Sequence, residues 1–201
     1  MKVTDIAPLD SRRRKVFIDG DYAFPLYLSE LRKYHIEADT ELTEQTAEEI
    51  EDIIVRRIKE RILYLLGDMD RSESDIRQKL TGNGYTSTYI DSAIEQVKAY
   101  GYIDDRRYAI SYAKSLMDGR HAGPALIRQK LYAKGISRDI IDSIETELQF
   151  DESKQIEAAL LRKNFTKEDV VNADYDTRRK LYGYLMRKGF SSSAISNFIH
   201  N

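Results

Sequence analysis

The feature that most constrains the fold of this 201-residue chain is an apolar pattern that occurs three times. An isoleucine or leucine stands eight residues before a glycine, and a leucine stands four residues before it. An apolar residue, a hydroxyl residue and later an isoleucine follow each glycine. The first two copies share the pentapeptide Ile-Arg-Gln-Lys-Leu, at 76–80 and 127–131. The three copies comprise Ile76, Leu80, Gly84, Tyr85, Thr86 and Ile90; Ile127, Leu131, Gly135, Ile136, Ser137 and Ile141; and Leu181, Leu185, Gly189, Phe190, Ser191 and Ile195.

Each copy is predicted to form a helix, a glycine turn and a second helix. Apolar residues four positions apart make the buried stripe of a helix. Glycine adopts the positive φ that ends a helix, and the hydroxyl residue caps the next one. Ser72 with Asp75, Gly123 before Pro124, and Asp176-Thr177 mark the starts of the first helices. A further helix is expected before each pair, over roughly 56–67, 105–117 and 152–163.

The N-terminal segment has a different pattern. Clusters of β-branched residues predict two or three strands near 2–7, 14–18 and 21–24, and Asp19-Gly20 is a strong hairpin signal. Pro25 is expected to end this β-element, and a short helix follows from Leu28. From Thr43 onward the pattern is helical, with Thr46 and Glu49 as a capping box before Ile50, Ile54, Ile58, Ile62 and Leu65.

The fold class is therefore predicted to be mainly α, with three tandem three-helix repeats and a small N-terminal β-hairpin element. One unit buries little, so neighbouring units should stack into an elongated or curved body. We divide the chain into a hairpin and short helix at 1–42 and repeats at 43–101, 102–149 and 150–201. At the joint between the first two repeats we expect Gly101 to end a helix, Tyr102 and Ile103 to face inward, Asp104 to cap the next helix, and Asp105 to lie in its first turn.

Composition excludes several classes. The absence of cysteine excludes a disulfide framework and thiolate metal sites. The sequence contains no apolar run long enough for a transmembrane helix and no signal-peptide pattern, so we expect a cytoplasmic protein without a membrane partner. We also expect a monomer. Residues 1–101 carry 15 Lys and Arg against 20 Asp and Glu, whereas residues 102–201 carry 17 against 14. The second half is mildly basic, which is also compatible with a chance distribution on solvated helices.

Three stretches of the chain are distinctive: RSESDIRQKL, GYIDDRRYA and GPALIRQKLYAKGIS. They resemble the RecX family, the regulatory proteins that modulate the RecA recombinase. The front segment VFIDGDYAF resembles a β-hairpin extension found in part of that family. The resemblance covers nearly the whole chain and is weakest over 150–180. It implies tandem three-helix repeats and direct binding to the RecA–single-stranded DNA filament. It also implies control, usually inhibition, of RecA ATPase, strand exchange and coprotease activity.

Basic residues around the repeated turns are the candidate contacts to DNA phosphates and to RecA. Arg77 and Lys79 lie about 200° apart on a helix, so they cannot both face one groove. For every one of these residues, solvation or pairing with an acid is the alternative. The candidates are Arg71, Arg77, Lys79, Arg120, Arg128, Lys130, Lys134, Arg138, Arg178, Arg179, Lys180, Arg187 and Lys188, of which the last five form the densest group.

Enzyme chemistry has little support. His35, His121 and His200 lack metal-ligand spacing, and no nucleotide-binding or hydrolase motif occurs. We therefore expect no enzyme activity, no metal and no cofactor. Two pairs of tyrosines lie about one helical turn apart or less, and we expect burial and not base stacking for them. They are Tyr108 and Tyr112, and Tyr182 and Tyr184. The expected partners are the RecA filament and single-stranded DNA, with duplex DNA as a weaker partner. Two other functions stay open: a stand-alone helix-turn-helix-like module that binds DNA, and a DNA-independent helical adaptor.

Overall fold

The structure is a computed structural model that describes residues 1–148 and 150–200, with His200 described by its backbone alone. The chain forms two compact units, Met1–Asp104 and Asp105–Asn201. The first contains β1 (Val3–Pro8), β2 (Arg13–Ile18), β3 (Asp21–Tyr27), α1 (Leu28–Lys33), α2 (Glu44–Asp68), α3 (Glu73–Gly82) and α4 (Ser87–Ala99). The second contains α5 (Asp105–Arg120), α6 (Pro124–Ala133), α7 (Arg138–Glu147), α8 (Glu152–Leu161), α9 (Lys167–Asn172), α10 (Tyr175–Arg187) and α11 (Ser192–His200). This confirms the predicted fold class of mainly helical structure with a small N-terminal sheet.

The N-terminal element is an antiparallel sheet in the order β1-β2-β3. Asp19 and Gly20 both have positive φ, 50° and 95°, as expected of a two-residue hairpin turn. The prediction that Pro25 ends the β-element is wrong, because β3 continues to Tyr27 and Pro25 is opposite Lys15. β3 is an edge strand, and its free side leaves N–H groups without a ladder partner, so proline is tolerated there.

In the first unit α2 is one continuous helix of 25 residues. Ile50, Ile54, Ile58 and Ile62 are fully buried along one side of it, where they join a core shared with the sheet and with α3 and α4. The predicted capping box of Thr46 and Glu49 is wrong. The helix begins three residues earlier, and Thr43 accepts a hydrogen bond from the Thr46 N–H, so Thr46 is already inside the first turn.

The apolar residues and glycines of the repeated pattern have the predicted structural role. Ser137 and Ser191 cap the following helices as predicted, whereas Thr86 stands at the N-cap of α4 without a side-chain hydrogen bond, so that capping prediction is wrong. The twelve apolar residues of the three copies are all buried. Gly84, Gly135 and Gly189, together with Gly101, have positive φ where helices end. Ser72 caps α3 by accepting the Asp75 N–H, and Gly123 and Pro124 begin α6. The copies belong to three hydrophobic clusters, one in the first unit and two in the second. The division into four segments stays a prediction.

The third repeat departs from the pattern. A short extra helix, α9, lies between α8 and α10, and Thr166 and Asp169 form a capping box at its start. Helix α10 begins at Tyr175, with Asp174 accepting the Thr177 N–H, so the predicted start at Asp176-Thr177 is two residues late. The sequence Thr-Lys-Glu-Asp at 166–169 has the spacing of a capping box and indicates the start of α9. The predicted helices of the third repeat do not include α9.

Within the second unit the glycine turn of the third repeat packs against the start of α6. Gly123 N donates to Lys188 O at 2.7 Å, and Ala125 N donates to Gly189 O at 3.1 Å. A β-carbon on Gly123 would lie 2.5 Å from the Gly189 carbonyl oxygen, and one on Gly189 would lie 2.6 Å from the Leu126 Cβ. Both glycines are therefore required for close backbone approach.

At the joint between the first two repeats one prediction is wrong. Ile103 is buried, but Tyr102 is 55% exposed. Only one side chain after the glycine packs into the core beside the preceding helix. Ile103 is that side chain, so Tyr102 stays exposed. Asp104 directly precedes α5, and Asp105 lies in its first turn as predicted. Among the described residues, no helix has the length and apolar character needed to span a membrane.

Candidate nucleic-acid interface

The arginines of the repeated pentapeptide bind carboxylates of the following helix. Arg77 Nε is 2.7 Å from Glu73 Oε1, and its Nη1 contacts Asp91 of α4. Arg128 contacts Glu145 and lies 2.8 Å from Asp142 Oδ1, both in α7. The carboxylates of Glu145 and Asp142 hold the pKa of Arg128 above its ordinary value. These arginines connect the two helices of a repeat, and their charges are already matched by acids.

The third repeat lacks this connection. The positions that correspond to Arg77 and Asp91 are Tyr182 and Ser196. Both residues line an open cavity of about 400 Å³ together with Tyr175, Arg178, Arg179 and Ile199. Tyr175 is 78% exposed. An aromatic surface with arginines at its edge therefore replaces the ion pair of the first two repeats.

A group of cations surrounds the end of α10. Arg179, Lys180 and Arg187 line one groove with Asp176, and Lys180 and Arg187 also line a second groove with Lys163. Further cations lie close by at the ends of α5 and α8. Lys188 Nζ donates to Arg120 O, and Arg162 Nη1 donates to Gly119 O at 2.5 Å, so both side chains contact the end of α5. We call this set the third-repeat basic cluster: Arg120, Arg162, Lys163, Arg179, Lys180, Arg187 and Lys188.

No member of the third-repeat basic cluster forms an ion pair within the part of the chain that the structure describes. Six of the seven side chains are exposed, and Lys188 is half-buried. Burial, followed by the neighbouring charges of Arg162, Arg120 and Lys163, lowers the pKa of Lys188 below its ordinary value. The cations therefore repel one another, and an anionic partner would relieve that repulsion.

Tyr184 lies among these cations. Lys163 Nζ is 5.3 Å and Lys188 Nζ is 5.5 Å from the centre of its ring, within the range of cation–π attraction. Its hydroxyl donates to Ala159 O at 3.3 Å, and burial raises its pKa. The tyrosines predicted to be buried are half-buried, and Tyr108 and Tyr112 stack on each other with ring centres 5.7 Å apart.

The remaining predicted candidates lie elsewhere. Arg71 is a structural residue: its side chain is 16% exposed, and it contacts Leu65 O at 3.0 Å and Asp75 at 2.9 Å. Arg178 donates to Ala173 O at 2.8 Å. Arg138 is exposed and lies 3.4 Å from Asp142. Lys79, Lys130 and Lys134 are half-buried residues near the ends of α3 and α6.

Sequence reasoning missed Arg162 and Lys163. They follow α8, 15 or more residues before the basic stretch of α10, and no spacing rule connects them to it. Their position in the last turn of the helix predicted over 152–163 was the only signal, because cations are favoured at helix C-termini. Among the described residues, no group of His, Asp and Glu is arranged to hold a metal ion.

The fold and this surface together define a class of protein: helical three-helix domains with an exposed surface of cations that form no ion pair among the described residues. Two family models match the chain, described as the second three-helix domain of RecX, over 104–143, and the third, over 151–199. A regulatory protein RecX of Limosilactobacillus reuteri is 31% identical, over 94% of this chain and 73% of that protein. A regulatory protein RecX of Clostridium beijerinckii is 29% identical, over 99% of this chain and 93% of that protein.

Solved structures show the same likeness. A crystal structure of regulatory protein RecX matches all of this chain and 99% of its own with a TM-score of 0.66 at 28% identity. A RecX structure from Lactobacillus salivarius covers 74% of this chain with a TM-score of 0.63, and at 23% identity it supports the fold alone. The chain belongs to the RecX family of regulatory proteins.

Proposed function

We propose that this protein regulates the RecA recombinase by binding the RecA–single-stranded DNA filament through the third-repeat basic cluster. The observation that carries the proposal is the concentration of seven cations without acidic partners among the described residues, in a chain of the RecX family. Phosphate groups are the partners that such a surface suits, because nucleic-acid affinity comes largely from Lys and Arg placed along the backbone.

The aromatic residues beside the cluster fit a single strand better than a duplex. Unpaired bases expose faces that stack on tyrosine, and this stacking is independent of sequence. Tyr175 is exposed at the edge of the cavity that Arg178 and Arg179 also line. In the proposal, cations of α10 contact phosphates while a neighbouring base stacks on Tyr175.

The regulatory effect follows from occupying the filament. A protein bound along the strand opposes the changes in filament geometry that accompany ATP turnover. We expect lower RecA ATPase activity, and with it less strand exchange and less coprotease activity. No site in this chain needs to perform chemistry for that effect.

The test combines RecA, ATP and circular single-stranded DNA with increasing amounts of the protein. We expect the ATPase rate to fall as the protein approaches a stoichiometric ratio to RecA. An unchanged rate and an unchanged filament lifetime at that ratio would contradict the proposal.

A pull-down of RecA with and without single-stranded DNA separates the other two functions. The proposal expects stronger capture when DNA is present. Equal capture in both conditions would indicate a DNA-independent adaptor. A sequence-dependent duplex footprint without RecA would indicate a stand-alone DNA-binding module.

A further inference from the structure

A second cationic site lies in the first unit, apart from the residues used above. A cavity of about 530 Å³ is lined by four arginines, two tyrosines and three other polar residues. The arginines come from the β1–β2 turn and β2 and from successive turns of α2. They are Arg12, Arg13, Arg57 and Arg61, and the tyrosines are Tyr27 and Tyr85.

The walls of this cavity are fixed by contacts between the N-terminal sheet and the glycine turn of the first repeat. Arg13 Nη1 donates to Asn83 O at 2.8 Å, and the Tyr22 hydroxyl donates to Gly84 O. Leu9 packs so closely that a β-carbon on Gly84 would lie 3.0 Å from its side chain. The sheet therefore completes a site that the helical repeat alone would leave open.

The charge of the cavity is only partly matched. Arg13 Nε lies 2.8 Å from Asp10, and Arg57 contacts Glu30. Arg12 and Arg61 are exposed and form no ion pair with any residue that the structure describes. The lining thus carries two guanidinium groups beyond those that carboxylates neutralise.

Arg57 also has an unused donor. Its guanidinium packs 4.7 Å from the ring centre of Tyr27, and its Nη1 is buried with no hydrogen-bond partner in the described chain. A buried donor without a partner is costly, and native proteins rarely leave one in that state. The contacts of Arg57 within the first unit therefore leave part of its hydrogen-bonding capacity unused.

We propose that this cavity binds a phosphoryl group. Four guanidinium groups offer more N–H donors than the two oxygens of a carboxylate accept, whereas a terminal phosphate presents three oxygens and a larger charge. Tyr27 and Tyr85 supply an aromatic surface for the group that carries the phosphate. The proposal is independent of RecA and of the third-repeat basic cluster, and it assigns a binding role to the N-terminal sheet.

Calorimetric titration of the full-length protein with inorganic pyrophosphate tests the proposal. Oligodeoxyadenylates with and without a 5′-phosphate identify the source of the group. Pyrophosphate binding alone indicates a free phosphate compound, and preference for the phosphorylated strand indicates a strand end. Equal binding of both strands that Arg12→Ala/Arg61→Ala weakens indicates the phosphodiester backbone.

The variant Arg12→Ala/Arg61→Ala should bind the preferred probe about tenfold more weakly or worse, because it loses two charge-assisted contacts. Arg106→Ala/Arg138→Ala removes the same charge from two exposed, acid-paired arginines of the other unit and should leave pyrophosphate binding unchanged. All four substituted side chains are exposed, so we expect the circular dichroism of both variants to match that of the wild type. Equal binding by wild type and the first variant would overturn the proposal. So would an absence of phosphate binding, or capture of a polyglutamate peptide in preference to phosphate.

Discussion

At the scale of single residues, the backbones at Gly123 and Gly189 leave no room for a β-carbon. Gly123 caps α6 while its N–H binds the carbonyl of Lys188, so the start of one repeat is joined to the turn of the next. The sequence pattern predicts a helix stop at Gly189 and a helix start at Gly123. It does not predict that the two meet, because their contact depends on how two repeats pack.

Replacing Gly123 by alanine should lower the free energy of unfolding by about 2 kcal/mol or more, because the new β-carbon meets backbone that cannot rotate away. Gly119→Ala is the matched control. It lies in α5 with open space around it, and there alanine should be neutral or stabilise by about 0.5 kcal/mol. Urea unfolding measures both, and equal stability of the two variants would contradict the close approach.

Lys188 allows a test by pH. Its lowered pKa means that it loses its proton before an ordinary lysine does, so phosphate binding should weaken as the pH rises toward 10.5. Lys188→Arg keeps its charge in this range and should show a smaller loss. Fluorescence anisotropy with an oligodeoxyadenylate measures the effect, because adenine does not ionise there. Parallel pH profiles for the two proteins would remove Lys188 from the binding surface.

At the scale of helices, the two Ile-Arg-Gln-Lys-Leu copies perform the same structural task. Their isoleucine and leucine face the core, and Arg77 and Arg128 bind acids on the next helix. Spacing alone predicts the buried positions, because i and i+4 lie on one helix face. The acid partners are 14 to 17 residues away, so identifying them requires the angle between helices.

The helix starts offer a matched pair of substitutions. Ser72 is fully buried and caps α3, whereas Thr86 stands at the N-cap of α4 without a capping hydrogen bond from its side chain. Ser72→Ala should therefore cost about 1 to 2 kcal/mol of stability, and Thr86→Ala less than about 0.5 kcal/mol. Denaturant midpoints compare them. A larger loss for Thr86→Ala would show that the hydroxyl of Ser72 is not the important cap.

At the scale of the whole molecule, the apolar spacing and the glycines predict the repeats, and the β-branched clusters with Asp19-Gly20 predict the sheet. The charged surface was harder to predict. The structure brings together five of the thirteen basic candidates: Arg120, Arg179, Lys180, Arg187 and Lys188. It adds Arg162 and Lys163, which directly follow α8. Charge alone does not show whether a cation has an acidic partner, and that difference decides which residues are available to phosphate.

The most direct test measures how salt affects binding to a RecA filament assembled on labelled single-stranded DNA with a non-hydrolysable ATP analogue. The variant Arg179→Ala/Lys180→Ala/Arg187→Ala removes three unpaired cations. Its control is Arg106→Ala/Arg138→Ala/Lys154→Ala, three exposed cations of the same unit that each contact an acid. Each lost phosphate contact on a single strand reduces the slope of log K against log salt by about 0.7.

We predict that the first variant binds more weakly at low salt and that its slope is shallower by about 2, whereas the control keeps the slope of the wild type. The same slope and affinity for all three proteins would contradict the assignment of the third-repeat basic cluster to DNA.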